Sequence, residues 1–356
     1  MKTYAILMEP ASYTLDRNVN IYDKLGIEYC YMKNSSEASD KNSDAICTEN
    51  YPILKLIKFI KQILSCYDCI IMNGYISKEF AILFILNLFY HKTIGIDSDT
   101  QYSRPESRCK YLIKKVYLSI IFRNRHIYGL AGGTKTHFEL FSKYGMPKSR
   151  IMLMPMMIDN NKFKNDNYNE RSRSPFTFLY VGRLIECKNI TVMIEAFLKL
   201  KETHANILLS IVGEGNLSQM LKENYQDENI IFKGKKYGKE LITEYCNANV
   251  LILPSSYEPW GLVVNEAMSQ GIPVIVSDQV GARYDLVDNK DTGYVFEYDN
   301  PDKLAACMQK CVDNGEHYKI MSYNSFNLLH NYWNYNLYNE CLLNFIDVAK
   351  QNAKLR

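Results

Sequence analysis

The stretch VLILPSSYEPWGLVVNEAMSQGIPVIVS, residues 250–277, carries a strand, a turn, a helix and a second strand in succession. VLILPSS is apolar until its last residues. Pro259 and Gly261 mark a turn that opens a short helix, and IPVIVS is apolar again. Uniformly apolar strands separated by helices belong to a parallel sheet covered on both faces. Two acids, Glu258 and Glu266, stand around the helix start in this otherwise apolar segment.

The same alternation extends outward. FTFLYVG (176–182), NILLSIVGEG (206–215), NIIFKG (229–234) and GYVFEY (293–298) read as strands. ITVMIEAFLKLKE, NLSQMLKENY and KELITEYCNA read as the helices between them. The second half is therefore a doubly wound α/β domain. The first half repeats the pattern less cleanly, with TYAILME, IEYCYM, DCIIMNG, KTIGIDS, HIYGLAG and IMLMPM as strand candidates. NNKFKNDNYNERSRSPF (160–176), polar and nearly free of aliphatics, reads as the linker. The expected division is an N-terminal Rossmann-like acceptor domain over 1–164 and a C-terminal Rossmann-like donor domain over 165–327. A C-terminal helix, 328–356, would pack back on the first domain. The cluster Tyr332, Trp333, Tyr335 and Tyr338 is the expected docking face.

A chain of 356 residues accommodates two such domains, and its 47% apolar and 23% charged content is ordinary for a folded protein. A net charge of +3 is too small to argue for nucleic acid. The start, MKTYAILMEPASY, lacks the features of a signal peptide. FAILFILNLFY, the longest apolar run, falls short of the ~20 residues that span a bilayer. The reading is a cytoplasmic protein or one lying on a membrane face. Ten scattered cysteines are expected to be reduced and mostly buried, with Cys66 and Cys69 as core thiols rather than zinc ligands.

Ligands of such sheets bind beyond the carboxyl ends of the strands, and a cleft between two such domains is the natural place for them. In YVGRLIECKNI, Gly182 leaves room for a ligand near the backbone, and Arg183 and Lys188 can reach one anion. Taken alone, they read as a strand-end arginine and an exposed lysine at a helix start. Gly213, Glu214 and Gly215 form a second glycine loop, which could be only a turn. The helix opening at Gly261 offers unpaired amides, near Leu262 and Val263, and a dipole suited to an anion. Glu258 and Glu266 would repel phosphate but accept hydrogen bonds from hydroxyls flanking it. The bland alternative makes Glu258 a helix-start acid and Glu266 the partner of a lysine.

Gly-Arg-Leu with a downstream Lys, then Gly-Glu-Gly, then Glu-x7-Glu followed by Ala-Met and Gly-Ile-Pro-Val, resembles the retaining GT-B glycosyltransferases of glycosyltransferase family 4. The resemblance covers about residues 175–315. It implies two Rossmann-like domains and hexosyl transfer from a nucleotide-sugar to a hydroxyl. The acceptor would be a glycan or lipid-linked glycan of bacterial cell-surface polysaccharide synthesis. In the family, the residues matching Arg183 and Lys188 hold the donor diphosphate. Those matching Glu258 and Glu266 take the sugar and ribose hydroxyls, and the loop around Lys235 lies near the base. The N-terminal half departs from the family: MEPASYTLDRN has no Gly-Gly loop. Asp97 and Asp99 stand where many relatives carry a histidine, so Asp97 is either a catalytic-region contact or a turn cap. No metal is expected, since no Asp-x-Asp closes a strand of the donor domain. A GT-B epimerase and a non-catalytic partner subunit are the alternatives.

Residues 104–126, RPESRCKYLIKKVYLSIIFRNRH, carry Arg104, Arg108, Lys110, Lys114, Lys115, Arg123 and Arg125 against Glu106. Leu112, Ile113, Val116, Ile120 and Ile121 follow helical spacing. This basic amphipathic helix either meets an anionic membrane surface or packs its stripe on the first-domain sheet.

Overall fold

The computed structural model describes residues 1–34, 45–103, 107–170 and 174–354. Arg104 and Glu106 lie outside these residues.

The chain folds as two units. One comprises Met1–Met156 together with Tyr335–Arg356, and the other Met157–Asn334. Each is built on a six-stranded parallel sheet. The first holds β1 (Thr3–Leu7), β2 (Glu28–Tyr31), β3 (Cys69–Asn73), β4 (Thr93–Ser98), β5 (Ile127–Ala131) and β6 (Ile151–Leu153). Their order is β2-β1-β3-β4-β5-β6. The second holds β7 (Phe176–Val181), β8 (Ile207–Val212), β9 (Ile230–Gly234), β10 (Val250–Leu253), β11 (Val274–Ser277) and β12 (Gly293–Phe296). These are ordered β12-β11-β10-β7-β8-β9. The strand order reverses between β1 and β3 in one sheet and between β7 and β10 in the other. At such a point neighbouring strand-end loops turn to opposite faces and leave a crevice. β1, β4, β5 and β10 are buried at every residue, as strands covered on both faces must be.

The segment read as a linker is packed instead. Asn160 is buried, and its Nδ2 donates to the carbonyls of Leu329 at 2.6 Å and Trp333 at 2.9 Å. Phe163 meets Tyr245 edge-on at 5.9 Å, and the Tyr168 ring stacks on Phe326 at 4.5 Å. A polar composition therefore does not make residues 157–170 a tether. One amide and two rings anchor them to the second unit.

The tail is two helices. Gly315–Asn331 stays in the second unit, and Tyr335–Lys354 belongs to the first. The aromatic cluster divides accordingly. Trp333 stacks on Trp260 at 5.4 Å with the rings 13° from parallel, within the second unit. Tyr332 is exposed. Tyr338 is buried in the first unit, its hydroxyl 3.1 Å from that of Tyr22. Phe345 seats the last helix on β4 at Gly95, where a Cβ would come within 2.7 Å of its ring.

The ten cysteines are all free, but only Cys30, Cys69 and Cys311 are buried, and Cys66, Cys109 and Cys246 are exposed. Most sit on helix faces that turn partly to solvent. No described helix is long and apolar enough to cross a membrane.

Candidate functional site

In the second unit the loops beyond β7, β8 and β9 continue the sheet as a backbone ladder. The amide of Gly182 donates to the Val212 carbonyl at 3.0 Å, Leu184 to Glu214 at 3.0 Å, and Gly213 to Gly234 at 2.9 Å. Gly213 has φ 137°, and a Cβ there would lie 1.8 Å from the Gly182 carbonyl oxygen. The second glycine loop is thus required by the approach of its own neighbour, whatever it also does for a ligand. The hydroxyl of buried Tyr180 donates to the Arg183 carbonyl at 2.9 Å and fixes that turn. The Arg183 side chain stands exposed at the end of β7. Lys235, beyond β9, is also exposed, with Nζ 4.7 Å from the Tyr237 ring centroid.

The loops beyond β7 and β10 flank the reversal point of this sheet. The Ser256 amide donates to the Cys187 carbonyl at 2.9 Å and ties them together. Lys188 and Glu258, one from each loop, form an ion pair in which both side chains are largely buried. The two residues that the family pattern assigns to different parts of a donor therefore meet each other. A paired, desolvated lysine and carboxylate can reopen toward a phosphate and a hydroxyl without either charge being stranded.

Beyond them the chain turns at Gly261, with φ 98° and a Cβ position only 2.8 Å from Leu253 Cδ2. The helix Leu262–Ser269 starts there. Its first amides, at Leu262 and Val263, precede any possible intrahelical acceptor and face an anion-favouring dipole end. The turn is rigid for reasons the motif does not advertise. Trp260 is only 1% exposed, and its Nε1 donates to Asn265 Oδ1 at 2.8 Å. The Gly281 and Ala282 amides donate to the Glu258 and Trp260 carbonyls, each at 3.0 Å. The VGARYDLV loop thus pairs with the EPWG loop.

Glu266 lies inside this helix and accepts from the Tyr245 hydroxyl at 2.6 Å. Burial pushes its carboxyl up to about 7, against the stabilising Tyr245 bond. Its partner is thus a tyrosine, not the lysine of the bland reading. Tyr245, on the helix Gly238–Cys246, was not visible as a site residue because nothing in KELITEYCNA distinguishes it from a core tyrosine.

Asp97 belongs to the other unit and does not cap a turn. It lies within β4, only 6% exposed, and accepts from Asn73 Nδ2 at 2.7 Å on the neighbouring strand. Arg17 Nη1 stands 3.6 Å away. Burial pushes the Asp97 carboxyl up to about 6, while Arg17 and Asn73 hold it from rising further. Asp97 and Arg17 line a cavity of about 790 Å³ in the first unit. It lies beyond β1, β3 and β4, where that sheet reverses. Arg17 carries no signal in the sequence, since no glycine motif flags its segment. Among the described residues, no group of three or more His, Cys, Asp or Glu is placed to hold a metal ion.

The basic helix runs Arg108–Arg123. Leu118, Ile121 and Phe122 face the core, so Ile121 is not part of the outer stripe. Leu112, Ile113, Val116 and Ile120 are exposed by 58–71%. The stripe as a whole therefore does not pack on the sheet.

Residues 161–328 match the family described as Glycosyl transferases group 1. An uncharacterized glycosyltransferase of Methanocaldococcus jannaschii is 37% identical over 131 residues, 36% of this chain and 33% of that protein. The UDP-Gal:alpha-D-GlcNAc-diphosphoundecaprenol alpha-1,3-galactosyltransferase of Escherichia coli is 29% identical over 203 residues, 52% of this chain and 51% of its own. The chain thus spans a third to a half of the length of these curated relatives. Anabaena HepE, solved in complex with UDP, matches with a TM-score of 0.77 at 16% identity, covering 98% of this chain and 100% of that one. It shares the fold, an α/β GT-B architecture of two parallel-sheet units. Over residues 161–328, the whole β7–β12 sheet and every strand-end motif described above, this chain matches the group 1 glycosyl transferases.

Proposed function

We propose that the protein transfers a hexosyl group from a nucleotide-sugar to a hydroxyl of a glycan or lipid-linked glycan, with retention at the anomeric carbon. The observation that carries this is the cluster at the β7/β10 reversal. An ion-paired Lys188 and Glu258 stand in the two loops flanking a Gly261-started helix that contains Glu266. Arg183, Lys188 and the amides of Leu262 and Val263 would meet the diphosphate. Glu258 would take hydroxyls of the sugar, Glu266 those of the ribose, and Lys235 would lie toward the base. As the glycosidic bond breaks, its electron pair leaves with the diphosphate, and these cations and dipoles stabilise the charge that develops there. In this reading the diphosphate charge is met by protein groups, without a metal. The acceptor oxygen enters on the face the phosphate leaves, which requires no protein nucleophile, and Asp97 is assigned to the acceptor side. The exposed basic helix supports an acceptor presented at an anionic membrane surface on the cytoplasmic side.

Calorimetry with UDP, the ligand named for HepE, tests the division of labour. Glu266→Gln should weaken UDP binding by about tenfold, the scale of one charge-assisted hydrogen bond. Glu258→Gln should leave UDP affinity within about threefold and impair turnover of the donor. Equal affinity losses in the two variants would contradict the assignment.

A further inference from the structure

The chain passes between its two units twice, after Met156 and after Asn334. Inside the second unit, the segments next to both passages pack on the helix Leu262–Ser269, which carries Glu266. These segments are the short turn Asn160–Phe163 and the helix Gly315–Asn331. The end of the latter leaves carbonyls without intrahelical donors, as every helix end does. The Trp333 amide turns back to the Leu328 carbonyl at 2.8 Å rather than to that of Leu329. Asn160 Nδ2 takes the Leu329 carbonyl at 2.6 Å, and its second hydrogen goes to the Trp333 carbonyl at 2.9 Å. One side chain, 169 and 173 positions away in sequence, thus uses both of its donors to join the two passages. Its Oδ1 is buried and has no hydrogen-bond partner among the described residues, so the two donated bonds are what the amide contributes.

From this junction two contacts lead to the donor site proposed above. Trp333 is buried and lies flat on Trp260, ring centroids 5.4 Å apart and planes 13° from parallel. Trp260 immediately precedes Gly261 and the amides of Leu262 and Val263. Asn265 holds the edge of its ring and the Ala282 amide its carbonyl, while Trp333 covers one face. His330, three residues before Trp333, donates from Nε2 to the Ser269 carbonyl at 2.9 Å, so the helix Leu262–Ser269 is held at its far end as well. The other contact starts at Phe163, edge-on to the Tyr245 ring at 5.9 Å, and the Tyr245 hydroxyl donates to Glu266 at 2.6 Å. Protein interiors are close-packed, so a void opened behind either contact shifts what that contact supports.

Resting on the donor reading above, we infer that Asn160 and Trp333 are positioning residues for the nucleoside diphosphate, although neither is among the groups that would meet it. Trp333 acts through Trp260 on the amides assigned to the diphosphate. Asn160 holds Trp333 in place and anchors the turn whose Phe163 backs Tyr245, the residue that fixes Glu266 for the ribose. Nucleotide affinity is therefore set in part from the two segments that leave the unit. Coupling of this kind is reciprocal, so a nucleotide that orders the turn also orders those segments. The chain has two tryptophans, and they are this pair, which makes the coupling directly observable.

Binding of UDP to the full chain, read by calorimetry, separates this role from a structural one. Trp333→Leu and Asn160→Leu should each weaken UDP binding by about tenfold, the scale of one aromatic stack or one buried hydrogen bond. Trp333→Phe keeps a ring against Trp260 and should stay within about threefold of the unmodified chain. The double variant Asn160→Leu/Trp333→Leu should lose no more than about threefold beyond the weaker-binding single variant, because one residue acts through the other. Thermal melts set a temperature at which each variant is folded, and affinities are compared there. A packing role alone would lower the melting temperature and leave the affinity of the folded chain unchanged, and that result overturns the inference. So does a double variant whose two losses multiply. Where a leucine variant does not fold, fluorine NMR of the unmodified chain labelled with fluorotryptophan decides the matter. Its two resonances are assigned with Trp333→Phe, and saturating UDP should move both. A Trp333 resonance that UDP leaves unmoved overturns the inference. If UDP binds in any of these failures, the positioning role alone has failed. An unmodified chain that does not bind UDP removes instead the donor reading on which the role rests.

Discussion

The two sheets have the same strand count, the same parallel sense and one reversal point each, yet the groups at their reversal points are made differently. In the second unit the crevice is built from backbone. Amides and carbonyls of Gly182, Gly213 and Gly234 bond loop to loop, Gly261 bends the chain, and buried Trp260 locks the bend. In the first unit a cavity is built from side chains of five separate segments, with Tyr13, Arg17, Asn73, Asp97 and Lys114 among them. A backbone-built site fixes residue types at set spacing, because only glycine tolerates those approaches. A side-chain-built site can draw its groups from anywhere the fold brings together, so it leaves no spacing to read.

The largest test of this contrast is in stability. Trp260→Ala should cost about 3–5 kcal/mol, since it empties a fully buried site, removes the stack on Trp333 and removes the hydrogen bond to Asn265. Ile113→Ala at the rim of the first cavity should stay within about 0.5 kcal/mol, because that side chain is mostly in water. Chemical denaturation measures both. Comparable losses would mean that the two sites are built alike after all.

A smaller effect is expected in turnover. Arg183→Ala should lower donor turnover by about 10²-fold, roughly 2.7 kcal/mol of transition-state stabilisation. Melting should hardly move, since the side chain is exposed. Turnover at the unmodified rate would remove Arg183 from the site.

The smallest effect concerns two buried carboxylates, one in each unit. Glu266 is pushed up to about 7 and Asp97 to about 6, in both cases chiefly by burial. A raised carboxyl is protonated below its pKa and becomes the better hydroxyl acceptor above it. UDP affinity should therefore rise by up to about tenfold between pH 6 and pH 8 through Glu266. Glu266→Gln should remove that part of the dependence, whereas Asp97→Asn should leave it intact. A dependence unchanged in Glu266→Gln would place the titrating group elsewhere, on the nucleotide for instance.

The strands and most helices were legible because a doubly covered parallel strand must be apolar throughout, and the β10–β11 segment shows this in one line of sequence. The helix start at Gly261 was legible because the glycine turn and the helix after it follow from local backbone rules. The pairing of Lys188 with Glu258 was not, because the two residues stand 70 positions apart and meet only where β7 and β10 lie side by side. Polarity misled at residues 160–170, where Asn160, Phe163 and Tyr168 make specific contacts that composition averages away.

The sequence by itself determined the two parallel α/β sheets, the motif-bearing strand ends of the second one and the family that those motifs match. Periodicity and glycine placement are local constraints, and each is written in consecutive residues. The tertiary structure alone decided what Glu266 touches, how Arg17 and Asp97 come to share a cavity, and which face of the basic helix is left in water. Those outcomes depend on which distant segments fill the space beside a side chain. Burial and neighbouring charge, not residue type, then set whether a carboxylate titrates near neutrality or an isoleucine lies in the core or on a rim.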